Sequence, residues 1–202
     1  MKTVVVLAGG PDVPAGIAVP AGASVIAADG GTELGVPVEL AVGDFDSITA
    51  ETLATVARVE RHPAAKDATD LELALDAALR LEAERILVVG SAGGRLDHLL
   101  GSLLLLAGEK YGAVEIDARL GAAQVHVVRG ERVLAGEPGE LISLFALGGP
   151  AEGVVTDGLV YPLRDETLEP GSSRGTSNEF AAAEARISVG RGVLLAVRPS
   201  SV

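Results

Sequence analysis

The segment from Leu40 to Glu72 decides the fold, through LAVGDFDS at residues 40–47 and KDATDLE at residues 66–72. The apolar run at its start predicts a buried strand that ends in a turn, and the second motif opens a helical pattern. Strands that alternate with helices and end in glycine plus a polar residue are typical of a parallel α/β sheet. Such sheets bind ligands beyond the carboxyl ends of their strands.

Four carboxylates in this segment are spaced so that they could meet. Asp44 and Asp46 are two residues apart, so on an extended strand end both would point the same way, and Asp67 and Asp70 are three apart, so on a helix they would share a face. Clustered carboxylates repel one another unless a cation lies between them, and hard oxygen ligands suit Mg²⁺ together with substrate phosphates. The pattern therefore predicts metal-assisted phosphoryl chemistry.

Three of these aspartates also have a purely structural explanation, whereas Asp70 has less of one. Asp is common in turns after strands, which would account for Asp44 or Asp46 alone. Asp67 fits a helix cap, and Thr69 followed by Glu72 matches a capping box. The functional interpretation depends on taking both pairs together, because both map to the carboxyl edge of the predicted sheet.

The alternation of strands and helices extends over residues 1–121. Short apolar runs bounded by glycine or polar residues predict strands at residues 3–8, 24–28, 40–42, 85–90 and 114–116. Helices are predicted at residues 49–57, from residue 67, and from about 96 to 110. The last helix is so rich in leucine that we expect burial on most of its sides.

After residue 121 the pattern changes to short strands at roughly ten-residue spacing, separated by Gly, Pro and Asp turns. They are predicted at residues 124–129, 132–134, 141–144, 153–156, 159–161, 185–189 and 193–197. This spacing predicts an antiparallel sandwich or barrel. The predicted fold is an α/β parallel-sheet domain at 1–121 followed by an antiparallel β-sandwich domain at 122–202.

Composition limits the classes of function. The formal net charge of −12 argues against nucleic acid or an anionic membrane surface as a partner. The chain has no cysteine, which excludes disulfides and thiolate chemistry. The first apolar run is followed by glycine and proline instead of a cleavage site, and no window approaches the length of a membrane span. We therefore expect a cytoplasmic protein.

Two glycine-rich loops carry further polar groups. GSAGGRLDH at residues 90–98 joins a predicted strand to a helix, where backbone amides and Arg95 could bind phosphate. A flexible loop with Asp97 and His98 as polar first-turn residues is the alternative. GSSRGTSNE at residues 171–179 is richer in hydrogen-bonding groups than a simple connection needs, although a plain turn remains possible. Neither a P-loop nor a dinucleotide fingerprint is present.

The ordered set of motifs resembles the thiamine pyrophosphokinase family. The motifs are DGG at 29–31, GDFDS at 43–47, KDATDLE at 66–72, GGRLDH at 93–98, GLVYPL at 158–163 and GTSNE at 175–179. The resemblance implies a nucleotide-binding α/β domain, a β-sandwich, and a homodimer with the site between subunits. It also implies transfer of diphosphate from ATP to the hydroxyl of thiamine, with release of AMP.

The resemblance also implies roles for individual residues. The catalytic set is Asp44, Asp46, Asp67 and Asp70, of which Asp44, Asp46 and Asp70 resemble the Mg²⁺ ligands. The nucleotide contacts are Asp29, Gly30, Gly31, Lys66, Arg95, Asp97 and His98. The thiamine contacts are Thr176, Ser177 and Asn178. The chain departs from the family at Thr32-Glu33, where Ala-Asn is frequent, and it has no tryptophan to stack on a substrate ring.

Two other functions fit the same motifs. A diphosphokinase for a hydroxymethyl-dihydropterin would share the site and differ in the acceptor, so a panel of acceptors separates the two. A nucleotide or thiamine sensor would bind without turnover, and Asp46→Asn would leave that binding unchanged.

Overall fold

The computed structural model describes residues 1–199. The chain forms two compact units. The first contains Met1–Ser102 and Ala113–Ala122, and the second contains Leu103–Gly112 and the chain from Ala123 onward. The predicted second domain runs to residue 202, and its last three residues lie outside the described part.

The first unit contains six parallel strands in the order β6-β5-β1-β2-β3-β4. The strands are β1 Thr3–Ala8, β2 Ser24–Ala28, β3 Leu40–Gly43, β4 Arg58–Arg61, β5 Arg85–Gly90 and β6 Glu115–Leu120. The four central residues of β1 are fully buried, as expected for a parallel strand covered on both faces. The predicted parallel sheet is confirmed.

The connection between β4 and β5 reverses the direction in which the sheet grows. From β1 the chain adds β2, β3 and β4 on one side, and it then returns to place β5 on the other side of β1. Ligands of open α/β sheets bind in the crevice beyond the carboxyl ends of the strands at such a reversal. We therefore expect the functional site at the loops that follow β1, β2, β3 and β5.

Three α-helices connect these strands. They are α1 Ala50–Ala54, α2 Asp70–Arg80 and α3 Leu96–Leu106. Thr49 and Thr69 cap α1 and α2 by accepting hydrogen bonds from the backbone N–H groups of Thr52 and Glu72. The capping predicted at Thr69 is confirmed. Short 3-10 turns span Asp29–Glu33 and Glu109–Tyr111.

The burial expected for α3 is wrong. Leu106 is the buried residue of this helix, whereas Leu96, Leu100 and Leu104 are exposed. These three leucines are four residues apart and lie on one face. Within residues 1–199, therefore, nothing covers this apolar stripe on α3.

The antiparallel strands of the second unit belong to two sheets, in the orders β12-β9-β14-β7 and β11-β10-β13-β8. The strands are β7 Ala123–Val128, β8 Glu131–Ala135, β9 Leu141–Ala146, β10 Ala151–Asp157, β11 Arg164–Leu168, β12 Asn178–Glu179, β13 Glu184–Ser188 and β14 Leu194–Arg198. Alternate side chains of both sheets share one core, which includes Ile142, Val154 and Ile187. The predicted change from parallel to antiparallel strands is confirmed.

Four details of the strand prediction are wrong. Residues 159–161 form a loop with one isolated bridge, from Leu159 to Phe180. Three strands were not predicted: β4 with sequence RVER, β11 with sequence RDETL and the two-residue β12. All three are edge strands with mostly polar side chains, so hydrophobic periodicity gives no signal for them. Among residues 1–199, no helix has the length and apolar character needed to cross a membrane.

Candidate active site

Asp29 lies where the ends of β2 and β3 meet. It follows β2 directly, and its Oδ1 accepts a hydrogen bond of 3.1 Å from the backbone N–H of Phe45, just after β3. A Cβ on Gly43 would lie only 3.1 Å from the Cβ of Asp29, so glycine permits this approach. A Cβ on Gly31 would collide with the carbonyl oxygen of Leu7 at 2.1 Å, so this predicted nucleotide-binding glycine has a packing role.

Lys66 lies between two of the predicted carboxylates. Its Nζ is 2.7 Å from Oδ1 of Asp70 and 3.3 Å from Oδ2 of Asp44. Burial by itself lowers the pKa of Lys66, but hydrogen bonds and attraction from Asp70, and then from Asp44, outweigh it and raise the pKa overall. The lysine therefore stays an ammonium at neutral pH. The two motifs of residues 40–47 and 66–72 converge on this single cation.

The pKa of Asp29 reports the electrostatics of the same region. Burial raises this pKa most, the negative charge of Asp70 raises it further, and the N–H of Phe45 offsets part of the rise. The charges of Asp44 and Asp46 add smaller increases. Three carboxylates thus act on Asp29 at the carboxyl edge of β2 and β3, which favours a bound cation.

The geometry predicted for Asp44 and Asp46 is wrong. β3 ends at Gly43, and Phe45 has a φ of 55°, so the chain between the two aspartates is not extended. The backbone N–H of Asp46 lies 3.4 Å from Oδ1 of Asp44, in a turn. Asp46 is exposed, whereas Asp44 is half-buried. The two carboxylates are neighbours because of this turn and not because of strand pleating.

The geometry predicted for Asp67 is also wrong. α2 begins at Asp70 after its cap Thr69, so Asp67 precedes the helix and shares no helical face with Asp70. Its side chain is exposed. The capping box beginning at Thr69 moves the helix start past Asp67, which leaves Asp70 as the acidic residue of the first turn that points to Lys66.

Carboxylate oxygens are the donors that Mg²⁺ prefers, and the like charges around Asp29 would be relieved by a divalent cation. Oδ1 of Asp70 is buried, with the Lys66 ammonium beside it. The donor chemistry therefore fits Mg²⁺. Within residues 1–199, however, no three His, Asp or Glu side chains are already arranged as a metal site. The ligand set Asp44, Asp46 and Asp70 stays a prediction.

Arg95 and Asp97 pair with each other at the start of α3. Nε and Nη2 of Arg95 lie 3.2 and 2.6 Å from the two carboxylate oxygens of Asp97. This bidentate contact, through its hydrogen bonds, lowers the pKa of Asp97 to about 2. His98 next to them is exposed. In the described chain, no hydrogen bond or ion pair joins these three residues to Asp29 or Lys66.

Asp12 is a residue that the sequence did not reveal. It follows β1, and its Oδ1 accepts hydrogen bonds from the backbone N–H of Gly93, at 3.0 Å, and from the hydroxyl of Ser91. These contacts lower the pKa of Asp12, with the Ser91 hydroxyl as the main cause. The loops after β1 and β5 are thereby joined where the sheet changes direction. The GGP turn at residues 9–11, immediately before Asp12, is the signal that could have indicated it.

In the second unit, the predicted substrate loop runs along β9. The N–H of Ser177 donates to the hydroxyl of Ser143 at 3.0 Å, and the side chains of Thr176 and Ser177 are exposed. The Asn178 side chain is buried, where it donates to the carbonyl of Tyr161 at 2.8 Å and accepts from the N–H of Tyr161 at 3.0 Å. Asn178 therefore holds the exposed Tyr161 in place.

Both units match models of known protein families. Residues 18–116 match the catalytic domain of thiamin pyrophosphokinase, and residues 124–194 match its vitamin B1 binding domain. Thiamine pyrophosphokinase of Bacillus subtilis is 34% identical over 172 residues, which cover 81% of this chain and 78% of that protein. The chain belongs to the thiamine pyrophosphokinase family.

Crystal structures of thiamine pyrophosphokinases agree with this assignment. The Bacillus subtilis protein superposes with a TM-score of 0.86 at 28% identity, covering both chains completely. The Enterococcus faecalis family protein gives 0.84 at 27% identity over both whole chains. The Geobacillus thermodenitrificans protein gives 0.83 at 28% identity over 99% of this chain and 98% of that one.

Thiamine pyrophosphokinases are ATP-dependent diphosphotransferases, so the predicted enzyme class is confirmed. The ordered motifs that suggested the family all lie in the regions that the two family models match. The roles assigned to individual residues stay predictions.

Proposed function

We propose that this chain transfers a diphosphate group from ATP to the hydroxyl of thiamine, giving thiamine diphosphate and AMP. The observation that carries the proposal is the meeting of Asp44 and Asp70 at the Lys66 ammonium, next to Asp29. This cluster lies at the carboxyl edge of parallel strands, where α/β proteins bind nucleotides. Membership of a family named for this reaction supports it.

Asp44, Asp46 and Asp70 would hold Mg²⁺ in this proposal. When bound, Mg²⁺ screens the triphosphate and stabilises the charge that develops on the transferring group. Asp44 and Asp70 are held in place by Lys66, whereas the exposed Asp46 is free to turn toward a ligand. One of the aspartates would accept the proton of the attacking hydroxyl.

The remaining residues of the proposed nucleotide site bind and orient ATP. Lys66 provides a positive charge to a phosphate oxygen, and Arg95 provides a planar guanidinium at the start of α3. Asp29, Gly30, Asp97 and His98 line the loops that end β2 and begin α3. Asp12 would position the loop that precedes Arg95 through its bond to Gly93.

We further propose that residues 1–121 are the catalytic domain and residues 122–202 the thiamine-binding domain, a β-sandwich. Thr176 and Ser177 are exposed and offer hydroxyl groups to the substrate. The buried Asn178 contributes by fixing the neighbouring loop. The protein is proposed to act in the cytoplasm.

The function is tested by incubating the purified chain with Mg-ATP and thiamine and measuring AMP and thiamine diphosphate by liquid chromatography. We expect both products in equal amounts, and none when EDTA removes the metal. Asp44→Asn should abolish turnover, whereas Glu51→Gln, a control on the exposed first turn of α1, should retain it. Failure of the wild-type chain to form AMP would refute the proposal.

A panel of acceptors tests the substrate. Thiamine should be used far better than a hydroxymethyl-dihydropterin, because a cationic thiazolium suits a protein of net charge −12. A preference for the pterin would show that the chain is a diphosphokinase whose acceptor is not thiamine. Binding of thiamine without turnover would instead indicate a sensor.

The homodimer is proposed from the leucine stripe on α3, since a second copy could cover Leu96, Leu100 and Leu104. Leu100→Glu should convert a dimer into a monomer in size-exclusion chromatography with light scattering. Val133→Glu changes an exposed apolar residue of β8 in the same way and should leave the dimer intact. A monomeric wild-type chain would rule out the homodimer.

A further inference from the structure

The second unit contains a cavity of about 450 Å³ to which the function proposed above assigns no role. We call it the Arg129 pocket. Its walls are formed by the loop at residues 147–150 between β9 and β10, the turn at residues 191–193 before β14, and Arg129 with Glu109 and Glu152. Its volume lies in the range of small-molecule sites.

The walls of the Arg129 pocket are tied together by backbone hydrogen bonds. The N–H of Leu147 donates to the carbonyl of Val193 at 3.2 Å, and Glu152 and Arg191 exchange bonds of 2.9 and 3.2 Å. Gly192 has a φ of 93°, and a Cβ there would lie 2.5 Å from the carbonyl oxygen of Pro150. The pocket is therefore a defined part of the fold, in which glycine allows two loops to approach closely.

Arg129 is the unusual charge in this pocket. Its side chain is partly buried, and its Nη2 donates to the carbonyl oxygen of Gly108 at 2.8 Å. Within residues 1–199, no carboxylate lies at ion-pair distance from its guanidinium. Burial lowers the pKa of Arg129 without an opposing charge to offset it. A guanidinium has five N–H donors, and most of those on Arg129 are left without a protein acceptor in the described chain.

The other charges on the pocket lie nearer to solvent. Glu109, Glu152 and Arg191 are exposed, and Glu152 pairs loosely with Arg191 at 3.8 Å. The more buried charge is thus positive, in a protein whose net charge is strongly negative. A partly buried and uncompensated cation is costly unless an anion reaches it.

We propose that the Arg129 pocket binds a small molecule that carries a phosphate group, with Arg129 as the phosphate ligand. The planar fork of a guanidinium suits two oxygens of one phosphate, and the rest of the 450 Å³ would hold the organic part of the molecule. The pocket is formed within the second unit, and the carboxylate cluster is formed within the first. The proposal does not depend on the catalytic function.

The test is isothermal titration of the full chain with inorganic phosphate in EDTA, at constant ionic strength. EDTA removes divalent metal, so that metal-dependent binding at the carboxylate cluster does not contribute. We expect saturable binding that Arg129→Gln weakens about tenfold or more, because it removes the charged donor. Arg164→Gln, at an exposed arginine of β11 outside the pocket, should bind like wild type.

A second variant tests the proposal in the opposite direction. Glu152→Gln removes a carboxylate from the rim of the Arg129 pocket and should tighten phosphate binding several-fold, even if Arg129→Gln proves unstable. Circular dichroism checks that each variant is folded. Equal binding by wild type and a folded Arg129→Gln, or no saturable binding by wild type and Glu152→Gln, would overturn the proposal. Acetate binding as tightly as phosphate would overturn the choice of phosphate.

Discussion

Two cation–carboxylate pairs of this protein have almost the same length and very different surroundings. Lys66 Nζ lies 2.7 Å from Asp70, and Arg95 Nη2 lies 2.6 Å from Asp97. The Lys66 and Asp70 side chains are 13% and 27% exposed, whereas those of Arg95 and Asp97 are 70% and 65% exposed. Both pairs come from motifs predicted to bind the nucleotide.

The difference shows that surroundings, and not distance, give an ion pair its importance. Water screens the exposed pair of Arg95 and Asp97 at the start of α3, so this pair contributes little to stability. Either side chain can leave the other and bind a ligand instead. The pair at Lys66 is shared with Asp44 and lies close to Asp29, where the charges interact through a less polar medium. Four variants test this contrast.

Asp70→Asn should have the largest effect. It removes a proposed metal ligand and one of the two carboxylates that hold Lys66, so we expect kcat to fall roughly 10²–10³-fold, the loss typical for a preorganised electrostatic group. Steady-state measurement of AMP formation at saturating substrates gives the value. If Asp70→Asn kept kcat within tenfold of wild type, the cluster would not be the catalytic centre.

Lys66→Met should destabilise the fold by about 2 kcal/mol, which is less than the 3–5 kcal/mol typical of a fully buried pair. It leaves Asp44 and Asp70 facing each other without their cation. Urea denaturation measures the change, and Arg95→Met, immediately before α3, serves as the matched control with an unchanged midpoint. Adding Mg²⁺ should stabilise Lys66→Met more than wild type, since a divalent ion can replace the ammonium. Equal stabilisation of the two proteins would argue against a metal at these carboxylates.

Asp29→Asn should stabilise the protein at neutral pH. Because the folded pKa of Asp29 is raised above its ordinary value of 3.8, the contribution of Asp29 to stability is most favourable below that pH and is lost as Asp29 ionises with rising pH. Asparagine cannot ionise and can still accept the hydrogen bond from Phe45. Thermal unfolding at pH 7 and at pH 3.5 should show a higher Tm for the variant at the first pH and similar values at the second. A lower Tm for Asp29→Asn than for wild type at pH 7 would show that the ionised Asp29 carboxylate does not destabilise the fold.

Asp97→Asn should have the smallest effect. The pKa of Asp97 is lowered to about 2. Any stability that its charge contributes is therefore present above pH 3.8 and is lost as the pH falls from 3.8 to 2. Since the pair is exposed, the Tm at pH 7 should match wild type in both low and high salt. If Asp97→Asn had a clearly lower Tm than wild type at low salt but not at high salt, this exposed pair would stabilise the fold as the Lys66 cluster does.

Much of the fold could be predicted because its signals are local. Apolar runs bounded by glycine identified β1, β2, β3 and β5, and the capping box of Thr69 and Glu72 identified the cap of α2. β4 and β11 were missed because their polar residues become strands only by pairing with a neighbour. The exposed face of α3 was mispredicted because a high leucine content indicates that a helix favours burial. It does not show that other residues of the same chain pack against the helix.

The candidate site was predicted in part. The convergence of Asp44 and Asp70 follows from the rule that parallel strands end at one edge, and it holds with Lys66 between them. The detailed reasons failed at Asp46 and Asp67, where a left-handed residue and a capping threonine set the local geometry. Asp12 and Arg129 were missed because their partners, Gly93 and Gly108, are distant in sequence.

The alternation of strands and helices, the change to antiparallel strands after residue 121, the family and the acidic character of the site all followed from the amino-acid sequence alone. These properties depend on residue type, periodicity and motif order, which are readable along the chain. Three features depended instead on the fold: Lys66 lies between Asp44 and Asp70, Asn178 bonds to Tyr161, and Arg129 is partly buried with no carboxylate of residues 1–199 at ion-pair distance. Such facts depend on which residues meet in space and how much water remains between them, and no local pattern encodes either.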